Sequence, residues 1–202
     1  KPITKAKPRS AAVAKIKPQP GIFRVAAIQM ASGPNVSANL SEAERLIGMA
    51  AAQGAKLVVL PEYFAVMGVK ESEKVALREA EGKGSIQKFL AHMAKTHKIW
   101  LVGGSVPLEA GDPNKMRNSC LVYDDKGKLA ARYDKIHLFG LDLGNERYHE
   151  EETIEPGERV VVVETPFGRL GLSICYDLRF PELYRAMGDV DLVVIPAAFT
   201  ET

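Results

Sequence analysis

Cys175 stands in the run GLSICYDLRFPE (171–182), after an apolar strand and ahead of a helix opened by Pro181, a placement that suits a nucleophile. The thiolate rather than the thiol attacks a carbonyl carbon, so a reactive cysteine needs nearby cations or the positive end of a helix dipole. On this reading Cys175 has a depressed pKa. Glu62 closes the strand KLVVLPE, and Lys135 lies near the end of ARYDKIH. Ligands of α/β sheets bind in the crevice at the carboxyl ends of the strands, so three such ends would bring together a carboxylate, an ammonium and a thiol. The carboxylate can take the thiol proton, the ammonium can steady the thiolate and the developing oxyanion, and sulfur can form an acyl intermediate. The chemistry implied is acyl transfer. Taken singly, each residue has a plainer reading: the Glu and the Lys as surface groups, the Cys as a small core hydrophobe. Cys120, with Leu121 and Val122 beside it and no helix following, keeps that plainer reading.

The elements that must position these groups are read from periodicity. FRVAAIQM (23–30) reads as a strand, and 37–54 as a helix with Leu40, Ala43, Ile47 and Ala50 on one face and Gly54 as its stop. KLVVLPE (56–62) is a continuous apolar run suited to a strand buried on both faces. A second helix follows Ser85, taken as its N-cap, with Ile86, Phe89, Leu90 and Met93 on one face. Strands are expected at 99–107, 118–125 and 129–137, then a polar segment from Gly140 to Glu158. VVVVETPFGRLGLSIC reads as two strands joined through Pro166, Phe167 and Gly168, and after the helix comes DLVVIPAAF. Strand and helix alternate first and hairpins enter in the middle, which makes the class α/β with a mixed sheet or a pair of sheets. The chain ends soon after PAAF without a closing element, an ending that reads as a truncation.

The 202 residues, 46% of them hydrophobic, are enough for one domain with a sizeable core. Two cysteines on separate predicted strands read as free thiols in a reducing, cytoplasmic compartment. No apolar run approaches the ~20 residues that span a bilayer, so a soluble chain without a membrane partner is expected. The net charge of +2 is carried by the first 20 residues, where five Lys and one Arg stand without an acid, leaving about −4 on the remainder. The body therefore offers no basic footprint for nucleic acid. Residues 1–21, proline-rich and without a sustained apolar period, read as a disordered basic extension ahead of a domain at 22–202. The chain begins with Lys and not Met, which reads as an incomplete or processed terminus. His92, His97, His137 and His149 are scattered, the cysteines lack CxxC spacing, and GVK (68–70) and GGS (103–105) fail the phosphate-loop pattern. Neither a metal nor another cofactor is expected.

PEYF around Glu62, YDKIHLF around Lys135 and GLSICYDLRFPELYR around Cys175, in this order, resemble the nitrilase superfamily of carbon–nitrogen hydrolases. FRVAAIQM, GGSVP and IPAAFTET match as well, so the resemblance covers residues 23–202. It implies an α-β-β-α sandwich, here C-terminally incomplete, with Glu62 as general base, Lys135 supporting the tetrahedral intermediate and Cys175 as nucleophile. It also implies a second glutamate. Tyr148, His149, Glu150 and the pair Pro156-Gly157 fit the pattern, which selects Glu150, whereas counting forward from Lys135 favours Glu151. KIHLF followed by CYDLRFPEL is most similar to the branch acting on small, carboxylate-bearing amides, the ω-amidases and deaminated-glutathione amidases. Nitrilase and carbamoylase activities are the alternatives within the superfamily. Arg179 would help hold a substrate carboxylate or would pair with Asp177 or Glu182. The backbone N–H of Tyr176 would donate to the oxyanion. The resemblance further implies a homodimer or larger homo-oligomer. Two rivals stand beside it: a Cys175–His137 thiol hydrolase, and a non-catalytic fragment whose missing strands leave sheet edges exposed.

Overall fold

The computed structural model describes residues 21–68, 71–144 and 146–199. The basic extension at 1–20 lies outside the described residues. In chain order the elements are β1 (Arg24–Ala27), α1 (Val36–Ala52), β2 (Ala55–Val59), α2 (Glu71–Ala76), α3 (Ser85–His97), β3 (Trp100–Val102), β4 (Val106–Glu109) and β5 (Met116–Tyr123). They continue with β6 (Leu129–Asp134), β7 (Gly140–Leu143), β8 (Glu146–His149), β9 (Val162–Thr165), β10 (Gly168–Leu172), α4 (Pro181–Met187) and β11 (Leu192–Val194).

The larger sheet runs β1-β2-β3-β5-β4, with β6 on the other edge of β5. β1, β2 and β3 are parallel, while β5 is antiparallel to β3, β4 and β6. A smaller sheet runs β11-β10-β9. Side-chain parity assigns the layers. Val58, Leu101, Leu121 and Tyr123 face the helices, packing with Ala43, Ile47 and Ala50 of α1 and Ile86, Leu90, Met93 and Ala94 of α3. Their neighbours Leu57, Trp100, Val102, Cys120, Val122 and Tyr133 face the other way and meet Leu170, Leu172 and Val194 of the small sheet. Cys120 is thus a core residue, fully buried. Gly171 points to the outer face of the small sheet, where a Cβ would stand 2.6 Å from the Met187 sulfur, so α4 covers that face. The result is the expected α-β-β-α order.

The local sequence explains most boundaries, and where it misleads the reason is non-local. Asn35 caps α1 by accepting the Ala38 N–H at 3.0 Å. The N-cap of α3 is Gly84 rather than Ser85. The exposed N–H groups of its first turn are taken by Glu79, which accepts from Ile86 at 2.7 Å and Gln87 at 3.1 Å, a negative charge where the helix dipole favours one. The run 99–107 breaks into β3 and β4 at Gly103-Gly104. The polar segment after Gly140 holds the hairpin β7–β8 and a 3-10 turn at Glu150–Glu152.

Two glycines let backbone segments touch where the reactive residues are carried. Gly104 sits at φ +55, and a Cβ there would lie 2.0 Å from the Pro61 carbonyl oxygen, the residue before Glu62. Gly157 donates its N–H to the Lys135 carbonyl at 2.8 Å, and a Cβ on it would meet the Asp134 carbonyl oxygen at 2.1 Å. Gly104→Ala combines a left-handed backbone with overpacking against main chain, and a loss of about 2–5 kcal/mol is expected. Urea unfolding of the variant measures it, and an unchanged midpoint would show that the Pro61–Gly104 contact is dispensable.

Candidate active site

Glu62 lies in the turn after β2, Lys135 one residue beyond β6, Glu150 at the start of its 3-10 turn and Cys175 at the start of another, Cys175–Arg179. All four are withdrawn from water, with 4%, 1%, 2% and 8% of their surfaces exposed. Lys135 stands at the centre. Its Nζ is 3.1 Å from Glu62 Oε1 and 2.9 Å from the Glu150 carboxylate. Each acid is itself anchored. Glu62 accepts from Asn118 Nδ2 at 2.9 Å and from the Ala198 N–H at 3.0 Å. Glu150 accepts the Phe139 N–H at 2.7 Å on its carboxylate and returns its own N–H to the Phe139 carbonyl at 3.0 Å. The neighbouring Glu151 has a side chain 75% exposed. Of the two candidates for second glutamate, only Glu150 touches Lys135.

The electrostatics follow from burial and from two acids facing one base. Burial alone would pull the Lys135 ammonium down, but the charges of Glu62 and Glu150 more than offset it and hold its pKa above the ordinary lysine value. Burial pushes the Glu150 carboxyl up, against the opposing pull of Lys135. Cys175 departs from the depressed value read from the sequence. Burial first and the Glu62 charge second push its thiol up to about 12, with the Ala198 N–H and Lys135 opposing them only in part. Burial is the main reason for the reversal, and Glu62 adds to it more than Lys135 opposes it. The segment after Cys175 is also a five-residue 3-10 turn, too short for a strong dipole. Burial and the Glu62 carboxylate therefore favour the thiol over the thiolate at Cys175.

Cys175 adopts φ +46, a left-handed conformation that costs a non-glycine residue about 1–2 kcal/mol. The surrounding hydrogen bonds hold it there: the Cys175 N–H donates to the Pro196 carbonyl at 2.9 Å, and the Asp177 N–H to the Ile174 carbonyl at 3.0 Å. Tyr176 follows in the first turn, where a helix leaves N–H groups without internal acceptors. Its ring packs edge-on against Phe139 and Phe180. Arg179 is exposed on the same turn. Neither acid suggested as its partner takes it up: Asp177 accepts from Tyr133 and His137, and Glu182 is 3.5 Å from Arg185. His137 is turned to Asp177, with Nδ1 2.7 Å from Oδ1, and stacks on Phe180 with ring centroids 3.7 Å apart. The His137 ring is thus engaged by Asp177, while the carboxylate acting on the Cys175 thiol is Glu62.

Asn118 escaped the sequence reading. It is fully buried, its Nδ2 fixes Glu62, and its Oδ1 has no hydrogen-bond partner among the described residues. A signal was present. On β5 the residues of the inter-sheet parity are Met116, Asn118, Cys120 and Val122, and one amide among apolar neighbours marks a buried polar task. Among the described residues no group of three or more His, Cys, Asp or Glu side chains stands in a metal-holding arrangement, and no helix is long and apolar enough to cross a membrane.

The chain is similar to known proteins. The chain is 43% identical over 185 residues to a deaminated glutathione amidase of Synechocystis, covering 88% of this chain and 67% of that one. It is 42% identical over 184 residues to an omega-amidase of Homo sapiens, covering 89% and 65%. The chain thus spans about two thirds of the length of these relatives. Among solved structures, an amidase of Nesterenkonia superposes with a TM-score of 0.75 at 29% identity, covering 89% of this chain and 68% of that one. That structure is a glutamate-to-glutamine variant showing the result of Michael addition of acrylamide at the active-site cysteine. The family model described as carbon-nitrogen hydrolase matches residues 24–200, and the chain belongs to that family.

Proposed function

We propose that the protein hydrolyses the carbon–nitrogen bond of a small linear amide bearing a carboxylate, with Cys175 as nucleophile, Glu62 as general base and Lys135 and Glu150 completing the site. The observation that carries this reading is the buried Glu62–Lys135–Glu150 chain, with the buried Cys175 near enough for Glu62 and Lys135 to act on its thiol. In the proposed cycle the thiol proton passes to Glu62 as Sγ bonds the amide carbon. The oxyanion that forms is held by the Lys135 ammonium and the Tyr176 N–H. Glu62 returns the proton to nitrogen, the C–N bond breaks, and ammonia leaves a thioester on Cys175. Water then attacks the thioester carbon, giving a proton to Glu62, and the acid departs as the thiol is restored. Glu150 keeps Lys135 charged and fixed between the two acids.

Arg179 is assigned the substrate carboxylate. It is exposed four residues after Cys175, and the nearby acids are engaged elsewhere. The relatives named deaminated glutathione amidase and omega-amidase support the amide reading over nitrile or carbamoyl chemistry. The free thiols Cys120 and Cys175 suit a reducing, cytoplasmic setting, and family resemblance supports a homodimer or larger homo-oligomer.

Ammonia release measured across an ω-amide, deaminated glutathione, a nitrile and a carbamoyl compound tests the reading. Turnover is expected with the two amides and is abolished by Cys175→Ala. Release from the nitrile or carbamoyl compound alone would overturn the amide assignment. Lys135→Ala should lower kcat on the order of 10²-fold or more through loss of oxyanion stabilisation, and a near-normal kcat would remove Lys135 from the site. With burial and Glu62 pushing the Cys175 thiol up to about 12, its alkylation by iodoacetamide should rise about tenfold per pH unit between pH 7 and 10, with Cys120 protected by burial. A plateau below pH 8 would show a preformed thiolate instead.

A further inference from the structure

We propose that Asp177 is a positioning residue that sets the distance between the Cys175 nucleophile and the Lys135 ammonium by tying the backbone and side chains around both to one buried carboxylate. This rests on the reading of Cys175 and Lys135 given above. Asp177 is fully buried. Its Oδ2 accepts the Ile174 N–H at 2.9 Å, on the residue immediately before Cys175. This reaches back three residues in the manner of a capping box, and it braces a turn whose nucleophile stands at φ +46. The same carboxylate then reaches the other chain segment. Oδ2 accepts the Tyr133 hydroxyl at 2.6 Å, and Oδ1 lies 3.0 Å from the His137 N–H and 2.7 Å from His137 Nδ1. The Tyr133 oxygen also accepts the Ile136 N–H at 3.3 Å.

Residues 133 and 137 flank Lys135 by two on either side, as residue 174 flanks Cys175 by one. One carboxylate therefore fixes both sides of the gap across which the oxyanion must fit. Burial and the Asp177 charge hold the Tyr133 phenol far above its ordinary range, so the hydroxyl remains a donor at any working pH. The stacking of His137 on Phe180 holds the imidazole against Asp177 from the far side. Asp177 has no place in the proton transfers. Its influence is geometric, and a displacement of about 1 Å between reacting groups can cost on the order of 10²-fold in rate.

The test is acylation of Cys175 by p-nitrophenyl acetate, read as p-nitrophenolate release and as the acetyl adduct by mass spectrometry, beside ammonia release from an amide. The activated ester needs oxyanion stabilisation but no amide specificity. Wild-type protein that acylates yet hydrolyses no amide would refute the functional reading while leaving the positioning role measurable. Asp177→Asn retains the size of the side chain but presents donors where donors already stand. Its acylation rate at saturating ester, per folded molecule, is expected to fall ~10²-fold, with the half-saturating concentration unchanged within about threefold. Tyr133→Phe removes one strut without adding a charge or a clash, and should lose roughly tenfold in the same rate. It decides the matter if Asp177→Asn does not fold. A lower Tm with wild-type acylation in the folded molecules would reduce Asp177 to a stabilising residue and overturn the proposal.

Discussion

The site depends on one buried ammonium held between two buried carboxylates. Withdrawing three charges from water costs several kcal/mol per ion, repaid only when every lone pair and proton finds a partner. Here the partners are supplied by distant chain segments: Asn118 and Ala198 for Glu62, and the Phe139 main chain for Glu150. Lys135 itself is carried by β6 and pinned by Gly157. Removing one member of such a group leaves an uncompensated buried charge, a loss of about 3–5 kcal/mol. Much of the architecture around the site serves this condition. The inter-sheet core excludes water on one side, and the close contacts at Gly104 and Gly157 allow backbone to approach where side chains would block it.

The burial of Cys175 beside Glu62 has a chemical consequence. A more exposed site with a net positive charge would store a thiolate, open to oxidation and alkylation. Here burial and the Glu62 charge favour the thiol. In the proposed cycle, proton transfer and carbon–sulfur bond formation are coupled, and the developing negative charge moves from a carboxylate to an oxyanion facing Lys135. The ammonium, its pKa raised by the neighbouring acids, would stay charged through that cycle.

Much of this was legible in the sequence because it is local. The apolar periods of α1, β2 and β10 announced themselves, and Glu62, Lys135 and Cys175 could be picked out at the ends of apolar runs. Glu150 was reached only through a resemblance, since its own surroundings, Glu150 to Glu152, look like a solvated acidic run. It is buried because the hairpin β7–β8, hidden in a segment that reads as polar, delivers it to Phe139 and Lys135. The depressed thiol pKa was misjudged for a similar reason. Sequence shows that a helix follows Cys175, but not that a 3-10 turn intervenes or that the thiol is buried beside Glu62. Asp177 and Asn118 act across 40 and 56 residues, on His137 and Glu62, separations that no short-range pattern conveys.

In the proposed thioester cycle Glu62 moves the proton in both halves. Rapid mixing of Glu62→Gln with an amide substrate, followed by intact-protein mass spectrometry, addresses it directly. Gln keeps the shape of the side chain and one of its acceptor oxygens but cannot take up a proton as a base. The account predicts that steady-state ammonia release is lost, that any acyl adduct on Cys175 forms slowly and persists, and that the thiol remains open to alkylation. Normal turnover by Glu62→Gln, with no adduct accumulating, would contradict it.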